Sequence, residues 1–257
     1  MYRDDDDLEF LGKVKSEDLN DLVHLLIYDK DGIERLTEEL SYRDSYKRYS
    51  PDHHQYWEDI AGELQCYGAN TLVTIFRGGK GVLYKEILCD VCNEMKVNFN
   101  KNSSTERIED CLFMKILEKS FENMSQDEIN KLARDLGFTN ISSVTPQMLL
   151  AACQAAFGAG GFASYQLALI IANAVWKALF GAGLSFATNA TITRALSVLT
   201  GPIGWAITAI WTVVDIAGPA TRVTVPGVIQ IALLRRKFNS GDDGSKNGGE
   251  NLPILTF

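Results

Sequence analysis

Three groups of residues carry side chains that could do chemistry: Cys89 with Cys92, Lys80 in a glycine-rich stretch, and the adjacent His53 and His54. Cys89-x-x-Cys92 has the spacing of half a zinc site or of a redox pair. Zinc requires a second pair or a suitably spaced histidine, and a redox pair sits at a helix start after a strand. This pair falls in the middle of the helical stretch Val82–Val97 (VLYKEILCDVCNEMKV), so both residues read as structural thiols. Arg77-Gly78-Gly79-Lys80-Gly81 invites a phosphate reading. A Walker loop needs Gly-x-x-x-x-Gly-Lys-Ser/Thr, and here Gly81 follows Lys80, so no hydroxyl is placed for magnesium. The stretch reads as an inter-helix loop, with phosphate capture by Lys80 as the lesser alternative. Adjacent histidines point in different directions on a helix, whereas helical metal ligands lie three or four apart. With His24 the third and last histidine, no metal cluster, nucleotide fingerprint or nucleophile–base–acid set emerges. The sequence predicts no cofactor, no metal and no enzyme.

The dominant feature is instead the span Pro146–Leu234, whose only charges are Lys177, Arg194, Asp215 and Arg222. Its apolar runs are Gln147–Phe157, Phe162–Phe180, Leu184–Leu199, Ile203–Ala217 and Gly227–Leu234, punctuated by glycines such as Gly160, Gly161, Gly181, Gly183 and Gly218. Thr145-Pro146 supplies a cap and a first-turn proline for the first run. A membrane-spanning helix needs roughly 20 apolar residues, and only Phe162–Phe180 approaches that length. Small residues four apart, Ala168 with Ala172 and Gly183 with Ala187, allow close helix packing in lipid or in a tight protein core. Two readings stay open: a buried helical hairpin, and a hairpin that seeks a membrane conditionally.

The charges refine both. Asp215 near a helix C-terminus opposes the helix dipole, and buried carboxylates are rarely unpaired. Asp215 is therefore expected either to pair with Arg194, Arg222 or Lys177 or to reach solvent. Arg235, Arg236 and Lys237 directly follow an apolar run, a placement that suits a solvated helix end and also an anionic lipid surface. With Trp176, Trp205 and Trp211 they are the candidate membrane or partner contacts.

Residues 1–145 hold 29 acidic and 18 basic residues, a net of −11, while 146–257 carry a net of +3. An acidic head argues against nucleic acid, which requires a basic patch. Leu8–Val14, Leu19–Ile27 and Ile33–Leu40 carry helical spacing, with Ser16 as a cap before SEDLNDLVHLLI. Tyr42, Tyr46 and Tyr49 form a stripe, and a new helix follows Ser50-Pro51. Ile108–Phe121 is helical, and Ser125-Gln-Asp-Glu128 is a capping box for a helix ending at Gly137. After Phe238, NSGDDGSKNGGEN cannot bury enough surface to fold, and the apolar LPILTF ends the chain. The fold class is all-α: an acidic helical N-terminal domain, then an apolar glycine-punctuated helical hairpin or bundle. The division is an acidic module at 1–40, a helical middle domain at 41–145, an apolar membrane-like domain at 146–238 and a flexible tail at 239–257. Five cysteines without framework spacing and an acidic start unlike a targeting segment predict a cytoplasmic protein, peripheral to or inserted in the inner membrane.

The segment LTGPIGWAITAIWTVVDIAGPATRVTVPGVIQIALLRRK, Leu199–Lys237, resembles the C-terminal signature of the YaaW-like family of uncharacterised bacterial proteins. The opening YRDDDDLEFLGKVKSEDLNDLV, Tyr2–Val23, is similar to that family's acidic N-terminal module. The resemblance extends to about residue 238. It implies a bacterial or phage-associated, mostly helical protein with no assigned reaction and no catalytic residues to carry over; some members are labelled as related to a ubiquinol–cytochrome c assembly chaperone. The leading expectation is a non-enzymatic helical protein that inserts into or perturbs the inner membrane. The alternative is a soluble protein-interaction module or assembly chaperone whose apolar half is its own core. Membrane lipid, a protein partner and a second copy of the chain are the candidate partners.

Overall fold

The computed structural model describes residues 2–69, 81–122, 124–135, 144–185 and 220–241. Their regular elements are helices: α1 (Asn20–Ile27), α2 (Asp44–Tyr49), α3 (Trp57–Ala69), α4 (Tyr84–Glu94), α5 (Thr105–Phe121), α6 (Gln126–Asp135), α7 (Pro146–Ala159), α8 (Gly161–Phe180) and α9 (Thr221–Ser240), with short 3-10 segments among the first of them. The fold is all-α. Among the described residues the one β feature is an isolated bridge between Tyr28 and Glu34. The chain divides into two compact units, Met1–Ile108 with Thr212–Leu234, and Glu109–Trp211 with Arg235–Phe257. These units are discontinuous in sequence.

In the first unit the acidic opening is a structural clamp. Asp5, 5 % exposed, accepts from the Tyr84 amide at 2.6 Å and from Gln65 Nε2 at 3.2 Å. A carboxylate thus sits at the first turn of α4, where amides lack helical partners and the dipole is positive. Asp7 accepts from Thr105 Oγ1 at 2.8 Å, at the start of α5. Asp4 and Asp6 are exposed. Gln65 also exchanges two hydrogen bonds with the Arg3 backbone. A Cβ on Gly81 would lie 2.5 Å from the Gln65 Cβ, so this glycine permits a close approach of α3 to the start of α4.

The carbonyls at the end of α1 are satisfied one by one. The Tyr28 amide donates to His24, Arg35 Nε to Leu25, Tyr67 Oη to Leu26 and the Arg35 amide to Ile27. Such groups are otherwise orphans of a helix end. Two expectations fail here. Ile33–Leu40 forms no helix. Asp29 Oδ1 accepts from the amides of Asp31 and Ile33, both at 2.9 Å, and Gly32 takes φ +74°, closing a tight turn in which local side-chain bonding outcompetes helix. Leu40 is buried, but Ile33 is 63 % and Leu36 103 % exposed. Ser16 caps no helix either; it bonds to Asp52 Oδ1 and accepts from the His54 amide.

The N-terminal part of α9 packs in this unit. It begins at Thr221, before Pro226, so the helix is longer than the run starting at Gly227. Val225, Val228, Ile229 and Ala232 are at most 1 % exposed, and a Cβ on Gly227 would sit 2.8 Å from Leu64 Cδ1. Burial of this face offsets the backbone bond that Pro226 removes.

In the second unit the caps follow the sequence closely. Glu128 Oε2 accepts from the Ser125 amide at 2.8 Å, the reciprocal half of a capping box. Thr145 Oγ1 accepts from the Met148 amide at 3.2 Å, with Pro146 in the first turn of α7. Leu149, Ala152, Cys153, Ala156 and Phe157 form the buried face of α7, which packs along α8. Gly160 and Gly161, at φ +69° and +63°, make the bend between the two helices, and α8 stops at left-handed Gly181. From Ser164 to Trp176 every residue of α8 is buried. The chain then turns back, and the Leu184 amide donates to Asn173 Oδ1 at 2.9 Å. The expected glycine-rich loop at Lys80, the helix end at Gly137 and the runs Leu184–Leu199 and Ile203–Ala217 lie wholly or mostly outside the described residues.

Candidate functional site

The most concentrated chemistry in the second unit is an ion cluster. Helical spacing along α5 places Glu109 on the same face as Phe113, Ile116 and Ser120, all fully buried. Spacing along α9 carries its apolar stripe directly into Arg235 and Arg236. Glu109 is 0 % exposed; its Oε1 accepts from Arg235 Nε at 3.1 Å and its Oε2 from Arg236 Nη1 at 3.0 Å. Arg236 Nη2 reaches Asp110 Oδ1 at 2.6 Å. The same guanidinium lies 4.8 Å from the Phe113 ring centroid and 5.5 Å from that of Phe157. Those two rings stack at 5.6 Å and 9°. One arginine therefore touches α5 through ions and α5 and α7 through aromatic faces, which only a flat guanidinium can do at once.

This placement puts Arg235 and Arg236, two of the expected contact residues, inside the cluster. Each is 7 % exposed and bonded to carboxylates of the protein. Lys237 is half-buried. Trp176 is 5 % exposed, with its ring 4.3 Å from that of Phe180 in α8. Lys177 and Arg222 are exposed. The charge of Arg222 acts on Arg35, whose guanidinium is pushed below its ordinary range chiefly by burial. Trp205, Trp211, Arg194 and Asp215 lie outside the described residues, and with them the expected Asp215 ion pair. Sequence reasoning missed Glu109, Asp110, Phe113 and Phe157. The signal was a carboxylate on the inner face of one helix and two cations continuing the inner face of another.

Other titratable groups with shifted values lie elsewhere among the described residues. Burial raises the Cys89 thiol, and it pushes the Cys153 thiol up to about 12. A raised thiol is a poor nucleophile near neutral pH. Burial holds His53 below its ordinary range against the opposing charge of Asp52, and its Nδ1 meets Tyr56 Oη. Burial raises Glu63, whose Oε1 accepts from the Glu39 amide at 2.9 Å. Among the described residues, no three His, Cys, Asp or Glu side chains are grouped to hold a metal ion.

Residues 2–36 match a domain of unknown function (DUF3944), and residues 52–229 match the family described as Ubiquinol-cytochrome C chaperone. A UPF0174 protein of Helicobacter pylori strain J99 is 48 % identical over 246 residues, covering 96 % of this chain and 97 % of the relative. A second UPF0174 protein, from strain 26695, is 43 % identical over 209 residues, covering 80 % of this chain and all of the relative. The UPF0174 protein YaaW of Escherichia coli K12 is 31 % identical over 244 residues, covering 93 % and 97 %. No solved structure matches the chain. The chain belongs to the UPF0174 family that includes YaaW, and its residues 52–229 fall in the ubiquinol-cytochrome C chaperone family.

Proposed function

We propose that this protein acts by binding another protein, as a non-enzymatic assembly chaperone or interaction module whose apolar half is its own core. The observation that carries this reading is the burial of α8. It is the one helix among the described residues long and apolar enough to cross a membrane, yet 72 % of its apolar window is enclosed by protein. A helix whose apolar surface is already sheltered gains little by moving into lipid. The description of the family matched by residues 52–229 supports a chaperone role and makes ubiquinol–cytochrome c assembly the first process to test.

The second reading is insertion into, or perturbation of, the inner membrane. The length and composition of α8 favour it, and a cytoplasmic protein attached peripherally would be its weaker form. Purification of the full chain without detergent, followed by flotation with phosphatidylglycerol-containing vesicles, separates the two. The proposal expects a monodisperse protein that stays at the bottom of the gradient. A protein that needs detergent, or that floats with the vesicles, would overturn it.

A further inference from the structure

We infer that the Glu109–Arg235–Arg236–Asp110 cluster is a latch on the α7–α8 hairpin, and that the hairpin opens as a local unit when the latch is broken. Four observations meet here. Arg236 bridges Glu109 and Asp110 while its guanidinium lies against the stacked rings of Phe113 and Phe157. Phe157 stands in the last turn of α7 and is 4 % exposed, so the latch bears directly on the hairpin's first arm. The two arms pack on each other across the Gly160–Gly161 bend. Leu184, bonded back to Asn173 of α8 beyond left-handed Gly181, closes the far end onto the hairpin itself. The hairpin thus has its own internal contacts, and the charge cluster meets its first arm at Phe157.

The cluster is also built to release abruptly. Each Glu109 oxygen engages a different arginine, and Glu109 is fully buried. Loss of the carboxylate charge takes one ionic contact from each of two enclosed guanidiniums, Arg236 keeping Asp110, which is more disruptive than losing an exposed pair. Opening at Phe157 would expose the stripe Leu149, Ala152, Cys153 and Ala156 to water. Cys153, 1 % exposed, lies in that stripe, while Cys92, 0 % exposed, lies in the first unit. The protein therefore carries a buried thiol in each unit, and their labelling rates report opening separately.

The experiment is iodoacetamide labelling of the full chain under non-denaturing conditions, with Cys153 and Cys92 read by peptide mass. In the unaltered protein both buried thiols are expected to label slowly. Glu109→Gln should accelerate Cys153 by about 100-fold or more, the factor implied by removing one partner of a buried pair, and leave Cys92 unchanged. Arg236→Lys keeps the charge but loses the fork and the flat ring contact, and should give a smaller acceleration at Cys153 alone. Variants that accelerate both thiols together, which is global unfolding, or neither would overturn the inference. If Glu109→Gln does not fold, Arg236→Lys decides the question by the same comparison.

Discussion

Replacing Glu109 by glutamine is nearly isosteric and removes one charge, which isolates the electrostatic part of the cluster. Two charge-assisted hydrogen bonds, at 3.1 and 3.0 Å, would weaken. The side chains of Arg235 and Arg236 are each 8 % exposed, and Arg236 could not turn to water without leaving the Phe113 and Phe157 rings. Breaking a buried pair by removing one partner costs about 3–5 kcal/mol. That is a large fraction of the roughly 5–15 kcal/mol that keeps a domain folded. Exposed pairs set the contrast. Lys115–Glu118 and Lys119–Glu122, with glutamates 47 % and 51 % exposed, contribute little because water and salt screen them. Urea unfolding followed by far-UV circular dichroism should therefore show Glu109→Gln destabilised several times more than Glu118→Gln. Pairing Glu109→Gln with Arg235→Met should restore part of the loss, because Arg235 is bonded to Glu109 while Arg236 keeps Asp110 at 2.6 Å. A Glu109→Gln protein within about 1 kcal/mol of the unaltered one would refute the account of the cluster, since no enclosed charge would then depend on that carboxylate.

Other outcomes follow from the same contacts. Asp5→Ala removes the acceptor of the Tyr84 amide and of Gln65, and should cost about 1–3 kcal/mol in the same unfolding assay. Gly81→Ala places a methyl 2.5 Å from the Gln65 Cβ and 2.9 Å from its backbone carbon, and should cost about 1–3 kcal/mol by overpacking. His53 gives a pH dependence. Burial lowers its folded value below the ordinary 6.5, so between the two values the unfolded chain binds the extra proton. Its contribution is present above pH 6.5 and lost as pH falls from there toward the depressed folded value. Stability measured across that window should fall less steeply in His53→Asn than in the unaltered protein, and identical slopes would remove His53 as the cause.

Much of the helical framework was legible because its signals are local. Thr145-Pro146, the Ser125–Glu128 box and the Gly181 stop each need only a few consecutive residues to act, and each acts in the structure as its residues suggest. The apolar run of α8 was equally plain. What escaped depended on distant partners. Ile33–Leu40 has helical spacing, but the Asp29 side chain and Gly32 close a turn before a helix can begin. The aspartate run reads only as an acidic start unlike a targeting segment, yet Asp5 and Asp7 are anchored 79 and 98 residues along the chain, at Tyr84 and Thr105. Arg235 and Arg236 read as a helix-end cation cluster because their partner, Glu109, lies 126 and 127 residues away. A carboxylate in register with Phe113 and Ile116 was the available clue, since a charge on an apolar face demands a counter-charge.

The claim on which the rest depends is that the apolar half is enclosed by its own protein. Hydrogen exchange of Ser164–Trp176 in the detergent-free full chain, with and without phosphatidylglycerol vesicles, tests it most directly. The account predicts strong protection that is the same in both conditions. Fast exchange in buffer that becomes slow only when vesicles are added would contradict it.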